Sequence, residues 1–291
     1  MLKQTDKVRL RRALLSAIRK AATILPEDVV AALEEATQEE DSKLARAQLA
    51  MILKNIKIAR TDSIPLCQDT GIQTFFVQAG VRSPYLELLK PVITQAVAEA
   101  TATVPLRPNT VHPFTNKNPG DNLGPGMPVI DYELIESDKI IITLLPKGGG
   151  SENCCALKMV TPSAGISGIK RVILDHVIKC KGAPCPPTIV GVGIGGGADV
   201  AMKLAKRAVL REITICHPEQ PVAKLEEELL ELINKSGVGP MGLGGNTTSL
   251  AVHIEYAFRH PASLPLGIVL QCWANRRAQV QVNKDGSIKV S

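Results

Sequence analysis

Three cysteines stand in short turns where a thiolate can face a cavity. Cys67 lies in Pro65-Leu-Cys-Gln-Asp-Thr-Gly71, between a predicted helix and a predicted strand. Cys185 lies in Gly182-Ala-Pro-Cys-Pro-Pro187, fixed by prolines just ahead of a buried strand. Cys272 lies in Leu270-Gln-Cys-Trp-Ala-Asn-Arg-Arg277, at the end of another strand. Separations of 118 residues (67 to 185) and 87 residues (185 to 272) exclude a local zinc ribbon or a ferredoxin-type run. Taken singly, each is more often a core residue than a ligand. Taken together, three thiolates on a cubane leave one iron without a protein ligand, and that open corner is what a Lewis-acid catalyst needs. The other four cysteines, 154, 155, 180 and 216, have weaker contexts and read as structural.

The elements that must hold these turns are legible from periodicity. The first sixty residues read as helices: one opens at Pro26-Glu-Asp, with apolar positions at Val29, Val30, Leu33 and Ala36. Another runs from Asp41 through Leu44, Leu49, Ile52, Leu53 and Ile56 and ends near Ile64-Pro65. Residues 73–81 are β-rich and 84–102 form an amphipathic helix. Residues 106–127, dense in Pro, Gly and Asn, form a loop long enough to be functional, with His112 and Asn116 as possible borders of a site. Runs at 129–135 and 139–145 around Ser137-Asp138 read as a hairpin. Helices are expected at 162–179, 199–211 and 220–236, and strands at 188–193, 249–257, 266–272 and 278–282. The fold class expected is α/β: a helical N-terminal region, residues 1–62, then mixed sheets flanked by helices, residues 63–291, as one domain.

Composition narrows the function classes. A chain of 291 residues with 45% hydrophobic and 21% charged content can bury a substantial core. The net charge of +6 comes from 34 Lys and Arg scattered among 28 acids, and with aromatics at 3% there is little on which to stack bases, so no nucleic-acid role is expected. The charged amino terminus is followed by no apolar h-region, and no apolar run reaches the roughly 18 residues a spanning helix needs. No membrane role and a cytoplasmic location are the expectation, where structural disulfides are rare. Gly191, Gly193 and Gly196 give GxGxxG spacing between a strand and a helix. The required acid some twenty residues on is not at a strand end, since Glu212 follows the helix, so a turn that lets a helix pack closely on a sheet is the better reading. His253 and Glu255 share a strand face and read as packing.

Longer blocks carry a resemblance. Pro65-Leu-Cys-Gln-Asp-Thr-Gly, Leu106-Arg-Pro-Asn, Lys147-Gly-Gly-Gly-Ser-Glu-Asn, Ala183-Pro-Cys-Pro-Pro, Gly239-Pro-Met-Gly-Leu-Gly-Gly-Asn-Thr-Thr and Arg259-His-Pro-Ala-Ser stand in the order and spacing of one family. The chain resembles, from about residue 10 onward, the α subunits of class I iron–sulfur fumarate hydratases and of L(+)-tartrate dehydratases. The resemblance implies a [4Fe-4S] cluster on Cys67, Cys185 and Cys272. It implies that Gln68 and Asp69 border the substrate, with the Asp69 carboxylate in the proton network, that Arg107 binds a substrate carboxylate, that the Gly149 N–H approaches it, and that His260 hydrogen-bonds the bound dicarboxylate. From the residues alone, Arg107 reads as a surface ion pair, Asp69 as an Asx turn and His260 as a satisfied histidine at a strand end.

The reaction implied is reversible addition of water across a dicarboxylate double bond. Hydration of fumarate to malate is the main expectation, supported by Ser151-Glu-Asn; dehydration of L(+)-tartrate to oxaloacetate is the alternative, supported by Trp-Ala-Asn-Arg-Arg after Cys272. A non-catalytic cluster-binding or regulatory subunit is the remoter one. Because the chain stops soon after the last cysteine motif, the resemblance also implies a separate β subunit that completes the site, in an α2β2 assembly.

Overall fold

The computed structural model describes residues 4–291. In chain order the elements are α1 (Gln4–Thr23), α2 (Glu27–Glu39), α3 (Lys43–Asp62), β1 (Ile72–Gly80), α4 (Leu89–Thr103), β2 (Val129–Ile135), β3 (Ile140–Lys147), α5 (Gly149–Glu152), β4 (Ala156–Val160), α6 (Gly165–Cys180), β5 (Thr188–Ile194), α7 (Ala198–Ala208), α8 (Gln220–Asn234), β6 (Ser249–Tyr256), β7 (Leu264–Gln271), β8 (Ala278–Val282) and β9 (Ile288–Val290). This is the α/β class expected, with a helical start and two mixed sheets flanked by helices. The chain divides into two compact units, the first built from residues up to Leu25, Ile56–Gly148 and Arg276–Ser291, the second from Pro26–Asn55 and Gly149–Asn275.

The first unit has a five-stranded sheet in the order β2-β1-β3-β8-β9. Side chains two apart share a strand face, and Phe75, Val77 and Ala79 of β1, Ile140, Ile142 and Leu144 of β3, and Ala278, Val280 and Val282 of β8 form one buried layer. Against it pack Leu10, Leu14, Ala17, Ile18 and Ala21 of α1 and Val92, Ile93, Ala96, Val97 and Ala100 of α4, at the spacing of one helical face. The expected 129–145 hairpin does not form. β1 lies between the two runs, parallel to β2 and antiparallel to β3. Local periodicity marks strands but not their partners: β1 is buried along nearly its whole length, so it takes the interior position, whereas half-exposed β2 takes the edge.

The second unit has a four-stranded sheet in the order β4-β7-β5-β6. Its two faces differ because β5 alternates valine and glycine. Val190 and Val192 join Ile169, Ile173 and Val177 of α6 and Leu225, Leu229 and Ile233 of α8 in a branched-chain core. On the other face Gly191 and Gly193 meet α7, whose buried residues are Ala201, Ala205 and Ala208. A Cβ on Gly193 would sit 1.9 Å from Ala201 O, and one on Gly191 2.2 Å from Ala205 O. In the turn that follows, the Gly195 and Gly196 N–H groups donate to Pro265 O (3.0 Å) and Phe258 O (3.1 Å), so they are committed to the fold and not directed at a phosphate. The close-packing reading of this glycine run therefore accounts for its geometry.

Gly193→Ala is expected to force α7 off the sheet and destabilise the chain by at least about 2 kcal/mol. Urea unfolding followed by circular dichroism measures it, and an unchanged midpoint would contradict the close approach.

Candidate functional site

The turn bearing Cys67 is held by bonds on both of its sides. α3 ends with Ser63 in the left-handed region (φ 53°), the Ile64 N–H reaching back to Ala59 O at 3.1 Å. Buried Leu66 anchors the next residue, its N–H on Ala22 O at 2.9 Å. Cys67 and Gln68 are then exposed and Asp69 is half-buried. Asp69 Oδ1 accepts the Gly71 N–H at 2.9 Å, the Asx turn that its sequence suggested. Gly71 (φ +78°) runs so close to β3 that a Cβ there would lie 2.8 Å from the Lys147 backbone. A Cβ on Gly148 would lie 2.9 Å from Asp69 Oδ2, so the first of the three glycines makes room for that carboxylate.

Arg107 belongs to the same neighbourhood. Fully buried Thr70, next to Asp69, accepts the Arg107 N–H at 3.0 Å and the Asn109 amide at 3.2 Å through its Oγ1. Asn122 closes the arrangement by accepting the Asn109 N–H and donating to Arg107 O (3.0 Å). The Arg107 side chain is exposed, and among the described residues it has no acidic partner. Among the described residues, the surface ion pair that sequence alone favoured does not form. The rest of the long loop, with Ile72 from β1, walls a groove of about 730 Å³ that includes Val111, His112 and Phe114. His112 there caps its own turn, Nδ1 accepting the Phe114 and Thr115 N–H groups at 3.3 Å.

In the second unit the Cys185 and Cys272 turns are bonded to one another: the Trp273 N–H donates to Cys185 O at 3.2 Å. Cys185 itself has φ +55°, a conformation that a side-chain-bearing residue adopts at a cost of about 1–3 kcal/mol and that clusters at functional sites. The Met241 N–H on Pro186 O (2.9 Å) and the close approach of Gly242 to Gly182 seat this turn on the 237–245 glycine loop. That loop is secured by buried Glu40, whose Oε2 accepts the Asn246 N–H at 2.8 Å. On either side of Cys272, buried Gln271 and Asn275 hook the chain on Ala274 O and Val209 O. Gly149 and Gly150 are exposed at the short α5, and a Cβ on Gly150 would meet Ala183 O at 3.7 Å.

His260 is apart from the Cys272 turn of its own unit. It is exposed in the loop before β7, with Nδ1 accepting the Ala262 N–H at 3.1 Å, an arrangement that leaves its proton on Nε2. Cys272 follows the far end of β7, and eight extended residues span roughly 26 Å. Thus Cys185 and Cys272 are brought together, Cys67, Gln68, Asp69 and Arg107 are brought together, and His260 is not near Cys272 of its own chain. His253 and Glu255 belong to a buried charge network, in which Arg211 bridges Glu226 (2.6 Å) and Glu255, as the packing reading held. Arg276, 1% exposed, is the polar residue that motif reading passed over.

All seven cysteines are free thiols. Among the described residues no three His, Cys, Asp or Glu side chains gather as a single metal ion requires. A cubane asks for something different, because each thiolate meets its own iron corner and the sulfurs stand further apart. The donor set suits it: three soft ligands in turns, Cys67 exposed and Cys185 and Cys272 half-buried. Cys180 is unlike them. Burial, then the neighbouring Cys154 thiol, push its pKa up to about 11, which keeps it protonated and a poor ligand.

The family model described as fumarate hydratase (fumerase) matches residues 11–281. A Methanocaldococcus jannaschii protein provisionally named L(+)-tartrate dehydratase subunit alpha is 50% identical over 274 residues, 93% of this chain and 96% of that protein. The Escherichia coli K12 L(+)-tartrate dehydratase subunit alpha is 37% identical over 265 residues, 91% of this chain and 88% of that protein.

Iodoacetamide labelling mapped by peptide mass spectrometry should modify the exposed Cys67 and Cys216 first at neutral pH, while labelling at Cys180 climbs only as pH approaches about 11. Equal rates at neutral pH would contradict this division of the thiols.

Proposed function

This chain belongs to the fumarate hydratase family, and from that premise we propose that it is the α subunit of a [4Fe-4S] hydro-lyase acting on L(+)-tartrate. The observation that carries the substrate choice is the end-to-end likeness to relatives of that name, at 50% and 37% identity. The Trp-Ala-Asn-Arg-Arg sequence after Cys272 supports it. Fumarate is the second reading, favoured by Ser151-Glu-Asn and by the family's description.

Cys67, Cys185 and Cys272 would hold the cluster. When bound, it supplies an open-site Lewis acid that makes a hydroxyl a feasible leaving group. The chain's own residues then bind and orient. Arg107 presents an exposed guanidinium, tethered at its backbone by Thr70, for bidentate pairing with one substrate carboxylate. Asp69, oriented by the Gly71 N–H, serves the proton network beside Gln68, and the exposed glycine at 149 lets the backbone N–H approach the acid. Dehydration removes a proton from the carbon adjacent to the one that loses its hydroxyl. The base for that proton, and further cations for the developing aci-carboxylate, belong to a separate β subunit, without which α is inactive.

His260 donates from Nε2 to a substrate carboxylate. Since β7 separates it from Cys272, it serves the site of a second copy of the chain, which supports an α2β2 assembly.

Three measurements test this reading. On the reconstituted pair, kcat/KM for L(+)-tartrate should exceed that for malate by roughly 100-fold or more, because a site built to bond the extra hydroxyl rejects the analogue lacking it; the opposite order would install the fumarate reading. Arg107→Met should lower kcat/KM about 100-fold through a lost charge-assisted bond, and an unchanged value would remove Arg107 from the site. Mixing inactive His260→Asn chains with inactive Cys185→Ser chains should restore about a quarter of wild-type activity, the share of sites left whole by random pairing; no recovery would place His260 in its own chain's site.

A further inference from the structure

The second unit holds a cluster of nucleophilic side chains that the proposed chemistry does not use. Cys154, 6% exposed, belongs to the branched-chain core with Ile173 and Val177 of α6, and Cys180, the last residue of α6, packs against the same core. His176, one helical turn before Cys180, joins them: its Nε2 lies 2.8 Å from Cys154 O and 3.6 Å from the Cys180 sulfur. Burial first, and then the charge and the side-chain hydrogen bond of Cys154, hold Cys180 protonated at neutral pH, so the two thiols are in direct contact. Cys155 is turned to its own loop, its sulfur donating to Ser151 O and to Glu152 Oε2, each at 3.7 Å.

One cysteine in a core is an ordinary small hydrophobe. Two whose sulfurs already meet can be joined by side-chain rotation, without the backbone movement that a distant pair would need. They can also lose two electrons together, which neither can do alone.

We propose that Cys154 and Cys180 are an oxidisable dithiol, a modification site separate from the proposed cluster ligands, which hydrogen peroxide converts to a disulfide. Since Cys180 keeps its proton, the Cys154 sulfur attacks one peroxide oxygen. The O–O bond breaks, the departing hydroxide takes the Cys154 proton to become water, and a sulfenic acid remains. The Cys180 sulfur then displaces hydroxide from Cys154: the S–O bond breaks as the S–S bond forms, and the Cys180 proton leaves with the hydroxide as a second water. Two thiols thereby give up two electrons and two protons, and one peroxide becomes two waters. Cys154 comes two residues after α5, which carries Gly149, and Cys180 comes five residues before Cys185. Oxidation would brace these two segments of the second unit to each other.

The test treats the reduced full-length chain with a small molar excess of hydrogen peroxide, blocks the remaining thiols with iodoacetamide in urea, and maps the unreduced digest by mass spectrometry. A Cys154–Cys180 crosslink that dithiothreitol reverses is expected in the wild type and in Cys155→Ser. In Cys180→Ser the crosslink should vanish and dimedone should trap the sulfenic acid at Cys154. Peroxide should also raise Tm in the wild type by roughly 5 °C more than in Cys180→Ser, because an unstrained bond restrains the unfolded chain. Recovery of both cysteines in alkylated form overturns the proposal, as does a crosslink from Cys180 to Cys155 or Cys185 in its place. A lower wild-type Tm after crosslinking overturns it too, since the fold would then not be arranged for the bond. Should Cys180→Ser fail to fold, the crosslink maps of the wild type and Cys155→Ser decide.

Discussion

Thiols carried on turns have no ladder of strand or helix bonds to fix them, yet a rigid inorganic group tolerates little misplacement of its ligands. The backbone around each thiol must then be tied down residue by residue, and buried backbone groups left over must find partners elsewhere. In the first unit that role falls to the Leu66 N–H on Ala22 O, the Gly71 N–H on Asp69, and the Thr70 hydroxyl with its two donors. In the second it falls to the Trp273 N–H on Cys185 O and the Met241 N–H on Pro186 O. The sheets matter to the site chiefly because they deliver the ends of these tethers.

Charge is distributed by the same logic. Inside the second unit, Glu226 is shared by Arg211, the His217 N–H and the Ile254 N–H, so both oxygens that burial removes from water are given donors by the protein. Glu40 does likewise for the glycine loop. These closed networks stabilise a fold and ask nothing of a ligand.

Much of the fold was legible in the sequence because periodicity is local. The helices, the strands at 73–81, 188–193, 249–257, 266–272 and 278–282, and the packing role of Gly191 and Gly193 all follow from residue spacing. Pairing is not local, which is why the 129–145 hairpin was expected and β1 was found between its strands. The short strands β4 and β9 were missed for a related cause: β4 exposes Leu157, Lys158 and Met159, and three-residue β9 is too brief to show alternation. At the candidate site, residue type and block order were enough to single out the cysteines, Asp69 and Arg107. Arg276 was invisible by that route, since its signal is burial and a hydrogen bond to Asp69 O, properties of the folded surroundings and not of the residue.

The distance along β7 shows how a modest structural fact redirects chemistry. Motif reading puts His260 and Cys272 in one site because both belong to one pattern, and pattern carries no length. Eight residues in a helix would cover about 12 Å and place the two within reach of a small diacid and its cluster. Eight residues in a strand cover more than twice that, and β7, buried along its whole length between β4 and β5, has no bulge with which to fold back. A histidine whose ring is locked by the Ala262 N–H with its Nε2 proton presented outward is prepared for an acceptor that its own chain does not bring. On the reading proposed for His260, symmetry would serve the chemistry, because a two-fold axis is the simplest operation that returns each histidine to a cysteine turn while using the same surface twice.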